Sequence, residues 1–223
     1  MRVAIVGGTA GLGYGLAMRL AKAGDEVVIG SRQTEKAEGA AERAREAVGP
    51  SCSVEGAANQ EVVKEADVVV VTVPFPGQAE MYKSLKGGIR EGATVIDCNV
   101  PLASEVGGKP TRLLGVWEGS AAQQAKGILG RKVNVASGFH TIMAASLQAI
   151  DRPLEEDVLV CGDSDARKVV EELVGRIEGA RFVDCGPLET ARILESLTPL
   201  LIGINGRYNL EPGAGIRITN LPG

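Results

Sequence analysis

MRVAIVGGTAGLGYGLAMRLAKAGDEVVIGSR, residues 1–32, decides the fold. Val3 to Val6 is apolar without alternation, as in a parallel strand buried on both faces. Gly7-Gly8-Thr9-Ala10-Gly11-Leu12-Gly13 follows, with Gly8 and Gly13 in the first and third positions of G-x-G-x-x-G and Ala10 in the second. Leu12 to Ala23 reads as a helix with Leu12, Leu16 and Leu20 on one face, stopped by Gly24, and Glu26 to Ile29 as a second strand. A glycine cluster alone carries little weight. Between a strand and a helix it predicts a dinucleotide site, with Gly8, Thr9, Ala10, Gly11, Leu12 and Gly13 cradling a pyrophosphate at the helix N-terminus. Ala10 adds one methyl where the backbone should come closest, and phosphates seated slightly higher would accommodate it.

The end of the second strand says which nucleotide. An NAD site usually carries Asp or Glu there, to hold the ribose 2′-hydroxyl. This chain has Ser31-Arg32, with Lys36 a turn into the next helix. A hydroxyl, a guanidinium and an ammonium suit a 2′-phosphate, so NADP(H) is the expected nucleotide. A solvated helix start would use the same residue types.

Working outward, Thr34 to Val48 is an amphipathic helix ended by Gly49-Pro50. A short strand at Ser53 to Val54, a short helix from Asn59 to Glu65 and a valine-rich strand from Val68 to Val73 follow. Pro74-Phe75-Pro76-Gly77 is a turn, Gln78 to Leu85 a helix and Thr94 to Asp97 a strand. Val100 to Gly119 has no clear pattern; Ala121 to Leu129 is a helix and Lys132 to Ala136 a strand leading into Ser137-Gly138-Phe139-His140. Strands alternating with helices imply right-handed crossovers and a parallel sheet. The last third supplies a strand at Asp157 to Cys161, a helix at Ala166 to Ile177, a strand at Arg181 to Asp184 and a long apolar helix, Leu188 to Ile204, interrupted by Pro199. The expected architecture is α/β: a Rossmann-type doubly wound parallel sheet over residues 1–150, with a small C-terminal α/β cap domain, 151–223, closing over the strand C-termini.

Composition narrows the function. Aromatics make up 3% of the 223 residues and the formal charge is −4, which argues against base stacking and against a phosphate-backbone binder. Cys52, Cys98, Cys161 and Cys185 have neither metal-ligand nor redox-motif spacing; they read as small side chains in a reducing cytoplasm, and no metal is expected. No apolar run has membrane length and no signal-peptide layout is present, so the expectation is a cytoplasmic protein without a membrane partner. His140, the only histidine, follows a strand C-terminus and suits positioning better than general base catalysis. Arg192 and Ser196 are four apart and share a helix face; Thr198 joins them only if Pro199 distorts the turn. A core helix with incidental polar residues accounts for that pattern slightly better.

These residues resemble the coenzyme F420-dependent NADP oxidoreductases of archaea and some actinobacteria. The resemblance spans nearly the whole chain. It rests on the GGTAGLG turn, Ser31-Arg32 with Lys36, VTVPF, the Pro-Leu after Asn99-Val100 and the FHT at Phe139 to Thr141. Its most specific elements are VCGDSD at Val160 to Asp165 and GPLETARILESLTPLL from Gly186. It implies a deazaflavin lying in the cleft between the two domains. Thr9, Ser31, Arg32 and Lys36 would bind NADP, with Val73 and Pro74 beside it; His140, Arg192, Ser196 and Thr198 would line the deazaflavin and nicotinamide site. Ala10 and Met143 depart from the family, which commonly has Gly and Pro there. The implied reaction is reversible hydride transfer between NADP(H) and F420, which needs two stacked rings rather than a metal, a nucleophile or a carboxylate pair. The expected partners are these small-molecule cofactors and a second copy of the chain, docked through the apolar last helix. Two other readings stay open: an NADP-dependent reductase of a small imine or ketone, for which His140 is the available acid, and a non-catalytic NADP-binding regulator.

Overall fold

A computed structural model describes residues 1–221. Eight strands form one sheet in the order β3-β2-β1-β4-β5-β6-β7-β8. In chain order these are β1 (Arg2–Val6), β2 (Glu26–Ser31), β3 (Ser53–Ala58), β4 (Val68–Val71), β5 (Thr94–Asp97), β6 (Asn134–Ser137), β7 (Asp157–Gly162) and β8 (Arg181–Asp184). The first six pair parallel, β7 runs antiparallel to β6, and β8 is parallel to β7. The helices are α1 (Gly11–Lys22), α2 (Thr34–Val48), α3 (Asn59–Val62), α4 (Gln78–Leu85), α5 (Ala121–Leu129), α6 (Ala144–Gln148), α7 (Ser164–Gly175) and α8 (Ala191–Tyr208). The Rossmann-type α/β expectation holds, with one step the pattern did not announce: the reversal at β7.

The valine runs show why the sheet is covered on both faces. Successive side chains of a strand point to opposite sides. Val3, Ile5, Val68 and Val70 therefore enter one core, packed by α1, α2 and α7. Ala4, Val6, Val69 and Val71 enter the other, beneath α3, α4 and α5. Every residue of β4 is fully buried. The first core also takes Val158 and Val160 of β7 and Val170, Leu173 and Val174 of α7, so the C-terminal segment shares apolar packing with the first strand. Ala191 and Leu194 of α8 pack with Ala122, Leu159 and Cys161 in a third cluster.

β4 stops at Val71 rather than Val73, β6 spans Asn134–Ser137 rather than Lys132 to Ala136, and α7 spans Ser164–Gly175 rather than Ala166 to Ile177; three further differences have clearer causes. β3 extends from the expected two residues to Ala58, because its pairing with β2 runs on to Ser31↔Ala58. Helix α3 is a single turn rather than reaching Glu65. Helix α8 runs through Pro199 to Tyr208 without a break. Pro199 removes one helical N–H, and the buried residues around it supply enough tertiary packing to carry the helix past that loss. The unpatterned stretch after Val100 holds a 3-10 turn at Ala103–Val106 and a bridge between Leu102 and Leu113.

The one α-helix that escaped the sequence reading is α6, five residues long. It is held from outside. Arg19 of α1, 3% exposed, donates to the carbonyls of Leu147 (2.9 Å), Ser146 (2.8 Å), Ala149 (2.7 Å) and Arg152 (2.6 Å). A guanidinium placed on the last carbonyls of a helix satisfies acceptors that would otherwise be orphaned. Gly15, one turn earlier on α1, makes room: a Cβ there would lie 2.5 Å from Leu147 Cβ.

Candidate active site

The glycine turn shows what each glycine does. A Cβ on Gly8 would lie 2.9 Å from the Ile5 carbonyl oxygen, and one on Gly13 would lie 2.4 Å from Thr72 Oγ1 and 2.9 Å from Gly8 Cα. Both positions exclude a side chain, so the turn, α1 and the end of β4 close on one another. Gly7 and Gly11 hold φ of 78° and 56°, the left-handed region that favours glycine. Ala10 caps α1 in extended backbone with its methyl exposed, so it takes nothing from the cradle. The first intrahelical bond runs from the Tyr14 N–H to the Ala10 carbonyl (3.2 Å). Among the described residues the N–H groups of Gly11, Leu12 and Gly13 have no acceptor, and they form the positive end of α1. Arg43 of α2 lies over the Tyr14 ring at 5.6 Å and reaches the Thr9 carbonyl at 3.4 Å, bracing the turn from the second helix.

A cavity of about 810 Å³ opens beside this turn. Of the residues singled out from the sequence, Thr9, Ser31, Arg32, Lys36, Val73 and Pro74 line it. Arg32 and Lys36 are exposed, and among the described residues neither has a carboxylate partner, which leaves two cations free beside the Ser31 hydroxyl. Ser31 Oγ accepts the Gln33 N–H at 3.2 Å, fixing the corner. Asn59, Gln60, Glu80, Met81 and Ser84 also line it; none belongs to a recognisable motif, because α3 and α4 bring them in from later in the chain.

A second cavity, about 300 Å³, lies over the C-terminal ends of β1, β4, β5 and β6. Leu12, Val73, Ile142, Ala144 and Phe139 give it apolar walls; Thr72, Asn99, Glu105, His140 and Thr198 are its polar groups. Thr72, Val73 and Pro74 line both cavities. The turn after β4 is therefore the point at which one elongated ligand could pass from the cationic corner to the apolar space.

His140 is 8% exposed, and burial lowers its pKa to about 4, so the ring is neutral at physiological pH. Its Nε2 lies 3.2 Å from Ser137 Oγ, and Thr198 Oγ1 donates to its backbone carbonyl at 2.9 Å. Phe139, just before it, holds φ 65° although fully buried, a strained conformation maintained by surrounding packing. Arg192 and Ser196 do not meet His140: both are exposed on α8, and Ser196 Oγ donates to the Arg192 carbonyl at 2.6 Å. Ser196 lines a separate shallow groove with Thr111, Leu200 and Arg207. The geometry thus joins His140 with Thr198 and places Arg192 with Ser196 outside.

Behind the second cavity runs a buried polar chain. Asp97, at the end of β5, accepts the Asn99 N–H (2.7 Å), and Asn99 Nδ2 donates to Gln78 Oε1 (2.8 Å). Gln78 Nε2 donates to the Ala121 carbonyl (2.8 Å), while Glu195 of α8 accepts the N–H groups of Ala121 (3.0 Å) and Ala122 (3.2 Å) at the start of α5. Burial pushes the Asp97 carboxyl up to about 7 and that of Glu195 to about 8. These residues tie the floor of the cavity to the helix that carries Thr198. Among the described residues there is no cluster of three or more metal-ligating side chains and no helix long and apolar enough to cross a membrane.

Residues 2–101 match the family described as NADP oxidoreductase, coenzyme F420-dependent. The chain is 44% identical to the F420-dependent NADP reductase of Methanocaldococcus jannaschii over 99% of each chain. It is 46% identical to the enzyme of that name from Methanothermobacter thermautotrophicus, over 100% of this chain and 96% of that one. The crystal structure of a proposed F420-dependent NADP reductase from Arthrobacter sp. FB24 superimposes with a TM-score of 0.76 at 26% identity, covering 94% of this chain and 95% of the other.

Proposed function

Since the chain belongs to the coenzyme F420-dependent NADP oxidoreductase family, we propose that it transfers a hydride reversibly between NADP(H) and coenzyme F420. The observation that carries this reading is the pair of cavities joined at Thr72, Val73 and Pro74. What supports their fit to the two substrates is the free N–H groups of α1, Arg32 and Lys36, which have no carboxylate partner among the described residues, and the largely apolar walls of the second cavity.

NADP(H) and F420 bring the reacting carbons, nicotinamide C4 and deazaflavin C5, so the protein's task is to hold them about 3–3.5 Å apart in a dry, fixed slot. The amides of Gly11, Leu12 and Gly13 take the pyrophosphate. Arg32, Lys36 and Ser31 take the 2′-phosphate, Arg32 through a fork and Lys36 as a point charge. Val73 and Pro74 support the nicotinamide side, and Leu12 and Ile142 keep water from the rings. His140, neutral and held through its own backbone by Thr198, is a positioning residue. Arg192 and Ser196 would meet only an outlying part of F420, with Arg192 answering an anionic group. Residues 151–223 serve as one wall of the cleft. A homodimer joined through the exposed Ile193, Leu200 and Tyr208 of α8, and a cytoplasmic location, belong to the same reading.

The imine or ketone reductase reading drew its acid from His140; a ring whose pKa falls to about 4 is a poor proton donor at neutral pH. The deciding experiment mixes the purified protein with NADPH and oxidised F420. Bleaching of the F420 absorbance at a rate proportional to enzyme is expected. No bleaching with either F420 or its reduced form and NADP⁺ would remove the proposal.

A further inference from the structure

We propose that Glu105 is the group that gives a proton to, and takes one from, the deazaflavin ring during turnover. The inference rests on the F420 reading above and asks what that reading leaves open. A hydride alone does not complete the reaction. The C–H bond at nicotinamide C4 breaks with its electron pair, and a new C–H bond forms at deazaflavin C5. NADPH is oxidised and F420 reduced, and a ring nitrogen of the deazaflavin must still gain a proton.

Three titratable side chains line the second cavity: Cys98, Glu105 and His140. Burial pushes the Cys98 thiol well above its usual range, with the Asp97 carboxyl behind it adding to the shift. His140 is neutral, its pKa lowered by burial, and its Nε2 faces Ser137. Thr198 commits its hydroxyl hydrogen to the His140 carbonyl. Of the three, Glu105 is the carboxylic acid, and its pKa moves upward, toward neutral pH.

Its position suits the role. Glu105 sits in the 3-10 turn Ala103–Val106, where its residue surface is exposed at the rim and one carboxylate oxygen, Oε2, accepts the Phe75 N–H at 2.9 Å. No hydrogen bond or ion pair engages the other oxygen among the described residues. Partial withdrawal from solvent raises its pKa, only partly opposed by the Phe75 N–H. It shares the cavity with Cys98 and Asn99 from the end of β5, His140 from the loop after β6, Thr198 from α8 and Thr72 to Pro74 after β4; the two titratable groups among these, Cys98 and His140, are uncharged at neutral pH. A protonated Glu105 donates to the ring nitrogen as the hydride arrives, and the resulting carboxylate recovers its proton from water at the exposed rim. In the reverse direction the carboxylate accepts.

Glu105→Gln separates this role from a structural one, because the amide oxygen still accepts the Phe75 N–H. For F420 reduction by NADPH, the wild-type kcat should fall as pH rises through the Glu105 pKa. In Glu105→Gln that limb should vanish and kcat should drop at least about tenfold, in keeping with general acid catalysis, with KM for NADPH unchanged. A readout independent of turnover is carboxyl ¹³C NMR of the free protein. The resonance absent from Glu105→Gln should titrate above the ordinary glutamate value of about 4.3. An unaltered kcat and pH profile in Glu105→Gln, or an ordinary titration midpoint for that resonance, would overturn the assignment while leaving the F420 reading intact. A wild-type protein that never bleaches F420 would overturn both.

Discussion

The two ends of the cleft are built in opposite ways. The cationic end comes mainly from one run of sequence: β1, the glycine turn, α1, β2 and the start of α2 all fall within the first forty residues or so. The largely apolar end is collected from far apart, with Leu12 from α1, Val73 from after β4, Asn99 from after β5, His140 from after β6 and Thr198 from α8. A site made locally needs only correct turns. One made from distant segments needs every supporting element in register, and this chain supplies that through buried polar groups: Arg19 beneath α6, Glu195 between α8 and α5, and Gln78 between α4, α5 and Asn99.

That contrast can be broken experimentally, most severely at Arg19. Arg19→Ala leaves carbonyls at the end of α6 unpaired and opens a buried space. A stability loss of about 3 kcal/mol in denaturant unfolding is expected, with kcat falling more than KM for NADPH rises. If α6 merely decorates the fold, stability will change by less than about 1 kcal/mol.

Arg32→Ala should act at the other end alone. Losing a charge-assisted contact to a phosphate weakens NADPH binding by roughly 1.5–3 kcal/mol, ten- to a hundredfold, with the melting temperature unchanged. NADH, which lacks the 2′-phosphate, should bind wild type and variant alike; equal loss for both nucleotides would show that Arg32 does not read the 2′-phosphate.

Asp97 tests the buried chain through pH. Its folded pKa, about 7, lies above the ordinary carboxylate value. The folded state therefore holds the proton more tightly than the unfolded state, and stability from this group declines as pH rises from about 4 through 7. Asp97→Asn keeps an acceptor for the Asn99 N–H and removes the buried charge. It should flatten that decline and stabilise the protein at pH 8 by about 2 kcal/mol, read from unfolding curves at pH 5 and 8.

The smallest effect is expected at Ala10. Its methyl is exposed and its backbone extended, so Ala10→Gly should change NADPH affinity by less than about twofold. A larger gain would show that the methyl does hold the pyrophosphate away.

The same division explains what could be read from the sequence. Gly8, Gly13, Ser31, Arg32 and Lys36 were legible because backbone geometry and charge leave marks at fixed spacing. The limits of α2, α4, β5 and α5 were legible for the same reason, being set by local periodicity and stops. Helix α6 was not, since five residues without a side-chain cap give no signal and are held by Arg19, more than a hundred residues away. Glu105 was missed because its stretch has no period. Arg192 and Ser196 were legible as a pair, yet helical spacing says which residues share a face and not what that face looks upon. The reversal at β7 left no mark, since a buried strand has the same composition in either direction.

That reversal has a mechanical consequence. By turning back along β6, β7 adds the last two strands to the existing sheet, and Gly162 lets them lie close: a Cβ there would be 2.5 Å from the Val135 carbonyl oxygen. Arg176, just past α7, closes the loop on the far side by pairing with buried Asp25 at 2.6 Å. The C-terminal segment is thus tied to the rest of the sheet at two separated points. The Pro74–Gly77 turn and the Ala103–Val106 turn meet at the rim of the cleft, where the Phe75 N–H donates to Glu105.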